Sequence, residues 1–320
     1  MPPQRTKRSG SMSKRKGLKN NAESDFSVNN PNSDDTEPKT KFWSASQAVM
    51  VKKDITHIWN KKSIRNVIVL VPALLMVIMP IVFLISSMLF SEEEMEFPQT
   101  LLRLMPDSVG TATYQQAIFI SFATFLAPAL FLCVVTVVTG FVASCNFILE
   151  KENDTLETIM LTSVPQKSIY NAKIAGSMVF SIMVSALSFA LFFIVMLVSS
   201  IMLNVTFFFS FNWFLIVFIL MPEITFFISI FVSFISPRIL TIEEAFQIVG
   251  YFMMFVLFIY FLQFIGAIEI TILFLFVSIL VLGIIDLVFY NIAARHFTAE
   301  NMLTKSFAAM MEMEKKRISN

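Results

Sequence analysis

Six almost uncharged apolar segments constrain this chain more than any other feature: Asn66 to Phe90, Ala117 to Cys145, Ile174 to Leu203, Trp213 to Ile235, Phe246 to Ile268 and Thr271 to Ile292. At 1.5 Å per residue a helix of such length crosses the roughly 30 Å of bilayer hydrocarbon. Backbone polar groups in lipid must be satisfied within the segment, so the spans are helices. A barrel would show strands of about 10 residues alternating polar and apolar, and no such alternation occurs. Composition agrees: 56% of side chains are hydrophobic and 15% charged, against about 25% charged in a soluble domain. A soluble enzyme is excluded. The expected fold is an all-α integral membrane protein with six transmembrane helices.

Only Glu269 and Ile270 separate the last two segments. One helix over residues 246 to 292 would be about 70 Å long, too long for a single crossing. A tight or re-entrant hairpin around Gly266 and Glu269 is expected instead. Basic residues orient the bundle. Of the 24 Lys and Arg, 14 precede the first span. Lys151, Lys167 and Lys173 lie between spans two and three, Arg238 between four and five, and the rest, except Arg103, after span six. Arg103 alone falls on the other side, beside Glu92, Glu93, Glu94 and Glu96. Both termini are expected in the cytoplasm, which requires an even number of spans.

Residues 1 to 40 are rich in Ser, Asn, Pro and Lys and lack apolar periodicity, as in a disordered basic tail. They are not expected to be a signal peptide, whose apolar core lies within the first 15 to 30 residues or so. Over residues 41 to 65, Phe42, Trp43, Val49, Met50, Ile55, Ile58 and Trp59 alternate with Lys52, Lys53, Lys61 and Lys62. This pattern predicts an amphipathic interfacial helix, either a surface anchor or an elbow that contacts a partner. The six-span domain proper would cover 66 to 292, and a cytoplasmic tail 293 to 320. Cys133 and Cys145 are about 18 Å apart on one helix and cannot pair. No metal-ligand spacing occurs, and His57 and His296 lie far apart in the chain.

The connection between spans two and three, Asn146 to Lys173, reads NFILEKENDTLETIMLTSVPQKSIYNAK. Asp154 followed by Glu157 resembles a capping box and predicts a short helix from Thr155, with Leu156, Ile159 and Met160 on one face and Pro165 ending it. An apolar stripe on so short a helix is marginal in water unless something covers it. The run Glu150, Lys151, Glu152, Thr155, Leu156, Glu157, Leu161, Thr162, Pro165 and Lys173 resembles the signature E-R-E-x-G-T-L-E … L-x-x-x-P … G-K of type-2 ATP-binding-cassette permeases. There it also follows the second of six spans. Asp154 and Ala172 stand where that family has Gly. The resemblance covers most of residues 42 to 305, including the turn around Pro237, Arg238 and Glu243 and the ending Phe297 to Glu300.

The resemblance implies that the 155 to 163 helix is a coupling helix seated in a cytoplasmic ATPase subunit, with Glu150, Glu152, Thr155, Leu156, Glu157, Ile159, Met160 and Pro165 as coupling residues. It also implies a second permease protomer, as homodimer or heterodimer, a multi-pass location in the prokaryotic cell membrane, and an exporter without catalytic residues of its own. A helix lying on the membrane surface is the alternative, disfavoured because its acidic flanks would meet an anionic inner leaflet. None of the 8 Gly begins or closes a G-x-x-x-x-G-K-[ST] loop. No cofactor is expected on this chain, and ATP with Mg²⁺ would be held by the partner. No nucleic-acid partner is indicated; membrane lipid is the other expected partner.

Glu223 follows Pro222 inside the fourth span, and Asp286 lies about 9 Å inside the end of the sixth. A carboxylate at that depth costs about 2.5 to 3.5 kcal/mol. Glu223 is therefore either a pathway residue or a hydrogen-bonded structural acid. Asp286 is the second candidate pathway residue, with simple reach to the inner interface the favoured alternative. Pro80 and Pro128 are expected to kink spans one and two. Two rival functions stay open. A secondary, ion-coupled transporter would show inverted repeats and more intramembrane charges; a non-transporting membrane scaffold would leave the 150 to 173 motif without a role.

Overall fold

The computed structural model describes residues 45–89, 114–152, 164–205, 210–239 and 241–297. Helix α1 is Ala45–Asn60 and α2 is Lys62–Leu89. Helix α3 runs through Tyr114–Ser121, a π turn at Phe122–Leu126, and Ala127–Glu152. Helix α4 is Gln166–Met202. Helix α5 comprises Phe211–Leu215, a π turn at Ile216–Leu220, Met221–Ile235 and a closing 3₁₀ turn at Ser236–Arg238. Helices α6 (Ile242–Phe264) and α7 (Ile272–His296) follow. The described residues are all helix and connection, and six of the helices are long and apolar enough to cross a membrane. The chain thus has the architecture of a multi-pass membrane protein.

Lipid-facing and protein-facing helices are distinguished by burial. In the most apolar windows of α3 and α5, 67% and 61% of residues are buried, against 11% in α7. Helices α3 and α5 therefore form the centre. Helix α4 packs on both and carries α1 and α2 on its other side, α6 lies along α3, and α7 lies along α5. Helices α5 and α7 run parallel, with Phe227 on Phe289 at 6.1 Å and Phe234 against His296 at 5.9 Å. Gly140 sets the α3–α6 approach: a Cβ there would meet Val249 Cγ1 at 2.5 Å, so only glycine admits this contact. Buried hydroxyls of Thr136, Thr139, Ser177, Ser188, Thr225 and Ser229 donate to the carbonyl four residues earlier, satisfying themselves inside apolar helices.

Each π turn ends two residues before a proline, Pro128 in α3 and Pro222 in α5. Proline lacks an N–H and collides with the carbonyl four residues back; one wider turn relieves both. In α2, by contrast, Pro72 and Pro80 lie inside one continuous helix. Helices α6 and α7 do form the short hairpin expected. Gly266 takes φ 81° and the Ala267 N–H donates to Leu262 O at 2.9 Å, a left-handed closure that glycine permits. Thr271 then caps α7, its Oγ1 accepting from the Phe274 N–H at 3.4 Å.

One boundary differs from the sequence expectation. The span-two helix continues to Glu152 and the span-three helix begins at Gln166, so both outrun the expected ends at Cys145 and Ile174. At 37 residues α4 is about 55 Å long. Nothing in residues 146–152 or 166–173 breaks a helix, and Glu150, Lys151 and Lys173 find partners at this end of the bundle. The connector between them is thus carried on two helical stems.

Candidate functional site

The stems on either side of residues 153–163 are tied to α1, to the end of α5 and to α7. On the α4 stem, Lys173 is buried, and its Nζ donates to Glu150 Oε2 and, at 2.8 Å, to the Asn146 carbonyl, both on the α3 stem. Asn146 Nδ2 in turn donates to Ser177 Oγ at 2.8 Å. Lys53 of α1 reaches Glu150 Oε1 at 3.4 Å. Lys151 points the other way. Its Nζ donates to the carbonyls of Ser236, Pro237 and Ile239 at 3.1, 3.3 and 2.8 Å, supplying the donors that the end of α5 lacks. Phe297, just past α7, packs on Phe147 and Tyr170 at 6.1 and 5.1 Å, and Tyr290 of α7 donates to Asn171 Oδ1 at 2.7 Å. The two stems are thus tied to α1, to the α5–α6 junction and to α7.

Within this group, Asp54 occupies the inner stripe of α1 between Val51 and Ile58 and is 6% exposed. Gly176 of α4 lies against it, and a Cβ there would sit at ordinary contact distance, 3.7 Å from Asp54 Oδ2. Burial pushes the Asp54 carboxyl from 3.8 up to about 6, with Lys173 and Lys53 opposing the shift and Glu150 adding to it. The folded state thus holds a proton on Asp54 that the unfolded chain releases between these values. The associated stability is fully present below the unfolded value and is lost as pH rises through about 6. It amounts to at most about 3 kcal/mol. Asp54→Asn should remove this component, so the wild-type minus variant difference in thermal unfolding should change over that window. A difference that stays flat with pH would refute the assignment.

The residues singled out by sequence are distributed unevenly. Glu150 lies in the clamp, Glu152 is the last residue of α3, and Pro165 opens α4 with φ −56° and ψ 132°. Thr155, Leu156, Glu157, Ile159 and Met160 lie outside the described residues. Glu223 and Asp286 are brought together on neighbouring faces of α5 and α7: a Cβ on Gly283, one turn before Asp286, would lie 2.9 Å from Glu223 Oε1. Asp286 is turned inward and 3% exposed, so it does not simply reach the interface as the sequence reading favoured; the parallel packing of α7 on α5 holds it. Lys53, Asp54 and Asn146 were missed. For Asp54 the signal was an acid inside the apolar stripe of an amphipathic helix.

A second feature lies toward the other end of the bundle. A cavity of about 970 Å³ opens between α2, the π turn of α3 and α6, lined by aromatic side chains including Phe83, Phe122, Phe125, Phe258, Tyr260 and Phe261. Its polar lining includes Ser121, whose hydroxyl is already committed to the Ala117 carbonyl at 2.8 Å. Phe83 stacks on Phe122 at 4.2 Å. Such a lining suits apolar rather than charged ligands. Comparison with protein-family models, with curated proteins and with solved structures finds no match.

Proposed function

We propose that the chain is the permease subunit of an ATP-driven exporter of the type-2 ATP-binding-cassette kind. It would work as a dimer of permeases, homomeric or heteromeric, with separate cytoplasmic ATPase subunits holding ATP and Mg²⁺. In this reading both termini face the cytoplasm of a prokaryotic cell and residues 155 to 163 form the coupling helix. The observation that carries the proposal is the clamped stem: the flanks of the motif-bearing connector are fixed by Lys173, Glu150 and Lys151 to α1, α4 and the α5–α6 junction. Rigid elements of this kind move as bodies when pushed. ATPase closure on the connector would tilt α3 and α4 against α5 and open a path at the permease interface. The aromatic cavity supports a hydrophobic or amphipathic substrate that enters from the bilayer.

The test is co-expression with the ATPase encoded beside this chain, followed by purification through a tag on the permease. Wild type should retain the ATPase, and Leu156→Asp with Met160→Asp should release it while eluting as a folded membrane protein. A folded wild type that emerges alone, or a variant that retains the ATPase, would overturn the proposal in favour of a secondary transporter or a scaffold.

A further inference from the structure

Two carboxylates face each other across α5 and α7 deep in the span. Glu223 lies 12 residues before Ile235 at the end of its helix, and Asp286 lies 10 residues before His296, placing them about 18 and 15 Å from the connector end. Asp286 is 97% buried, and its Oδ1 has no hydrogen-bond partner among the described residues; Glu223 Oε2 is buried and unpartnered as well. Among the described residues neither acid has an ion pair. The sequence contains no Lys or Arg from Asn66 to Leu102, from Leu104 to Glu150, from Ile174 to Pro237 or from Ile239 to Ala294, and its only histidines are His57 and His296. Uncompensated carboxylates at this depth are expensive, and intramembrane acids face a partner or an aqueous path.

Gly283 gives Glu223 room against α7, since a Cβ there would lie 2.9 Å from Oε1. The available donors are all carboxylate oxygens, with Glu223 Oε2 and Asp286 Oδ1 both buried and unpartnered among the described residues. Oxygen donor sets select hard alkali or alkaline-earth cations over soft metals. We propose that Glu223 and Asp286, brought together where Glu223 packs over Gly283, form an intramembrane binding site for a hard cation. The site gives the bundle a function that does not depend on an ATPase partner, so its test and the co-purification test fail independently.

The experiment uses the purified full-length chain in mild detergent, with radiosodium, radiorubidium and radiocalcium binding measured by scintillation proximity at neutral and mildly alkaline pH. Choline chloride keeps ionic strength constant. Saturable, near-stoichiometric binding of one of these ions to wild type is expected, weakened about tenfold or more in Asp286→Asn and in Glu223→Gln. Should Asp286→Asn aggregate, Glu223→Gln decides, because Glu223 is the more accessible acid. The tracer that binds identifies the ion. Absence of saturable binding of all three, which would leave a shared proton as the neutralising species, overturns the proposal. So does binding unchanged in a folded Glu223→Gln.

Discussion

Lys151→Met should destabilise the bundle by about 2 to 4 kcal/mol, although the substitution conserves length and removes a charge from a buried site. The lysine is 9% exposed and its ammonium is shared among three carbonyls at the end of α5. Methionine fills the same volume and donates nothing. The carbonyls of Ser236, Pro237 and Ile239 would then lack a donor that the 3₁₀ turn cannot supply itself, and each unsatisfied buried group costs about 1 to 3 kcal/mol before water enters. Water reaching this end of the helix keeps the total below the simple sum. Lys151→Arg should recover only part of the loss, because a planar guanidinium cannot converge on three carbonyls as a tetrahedral ammonium does. Thermal unfolding of the three purified proteins in one detergent decides the matter. Equal midpoints for wild type and Lys151→Met would mean that α5 ends without help from α3.

The difference between what the sequence discloses and what it withholds follows the distance over which each property is determined. Span positions are local: a run such as Ile174 to Leu203 must be apolar wherever its neighbours lie. So are the turn at Gly266 and the cap at Thr271, which involve residues within one helical turn. The stem is not local. Lys151 bonds residues 85 to 88 positions away, and Lys53 meets Glu150 across 97. A sequence reading therefore sees Lys151 as one basic residue in a loop, when it is a buried donor at the end of a helix. The same applies to Glu223 and Asp286. Each is visible as an intramembrane acid, but their juxtaposition depends on α5 and α7 packing in parallel and on Gly283 yielding space. Pro128 and Pro222 are an intermediate case: both prolines, and a kink at the first, were legible, and the π turn that accommodates each was not.

The clamp around Lys173 makes a second large prediction. Lys173→Met should cost about 3 to 5 kcal/mol, because it takes the buried ammonium away from Glu150 and Asp54 and removes the donor from the Asn146 carbonyl. Glu150→Gln should cost less, since Lys173 retains the Asn146 carbonyl and the field of Asp54. If the Glu150–Lys173 contact is the main interaction, the double variant should be more stable than the sum of the single losses implies, by about 1 to 3 kcal/mol. Acidity should discriminate further. Once Lys173 is gone, the opposed carboxylates Asp54 and Glu150 repel, and protonating Asp54 relieves the repulsion. Lys173→Met should therefore regain part of its lost stability as pH falls through the Asp54 range, and the regain should vanish in Lys173→Met combined with Asp54→Asn. Thermal unfolding of the four proteins of the cycle, and of Lys173→Met combined with Asp54→Asn, near neutral and near pH 5 measures both effects, the lower value lying between the unfolded and folded Asp54 values of 3.8 and about 6. Additive losses with parallel pH profiles would mean that α1, α3 and α4 are held together by apolar packing alone, and that the connector is not electrostatically fixed to the elements it would have to move.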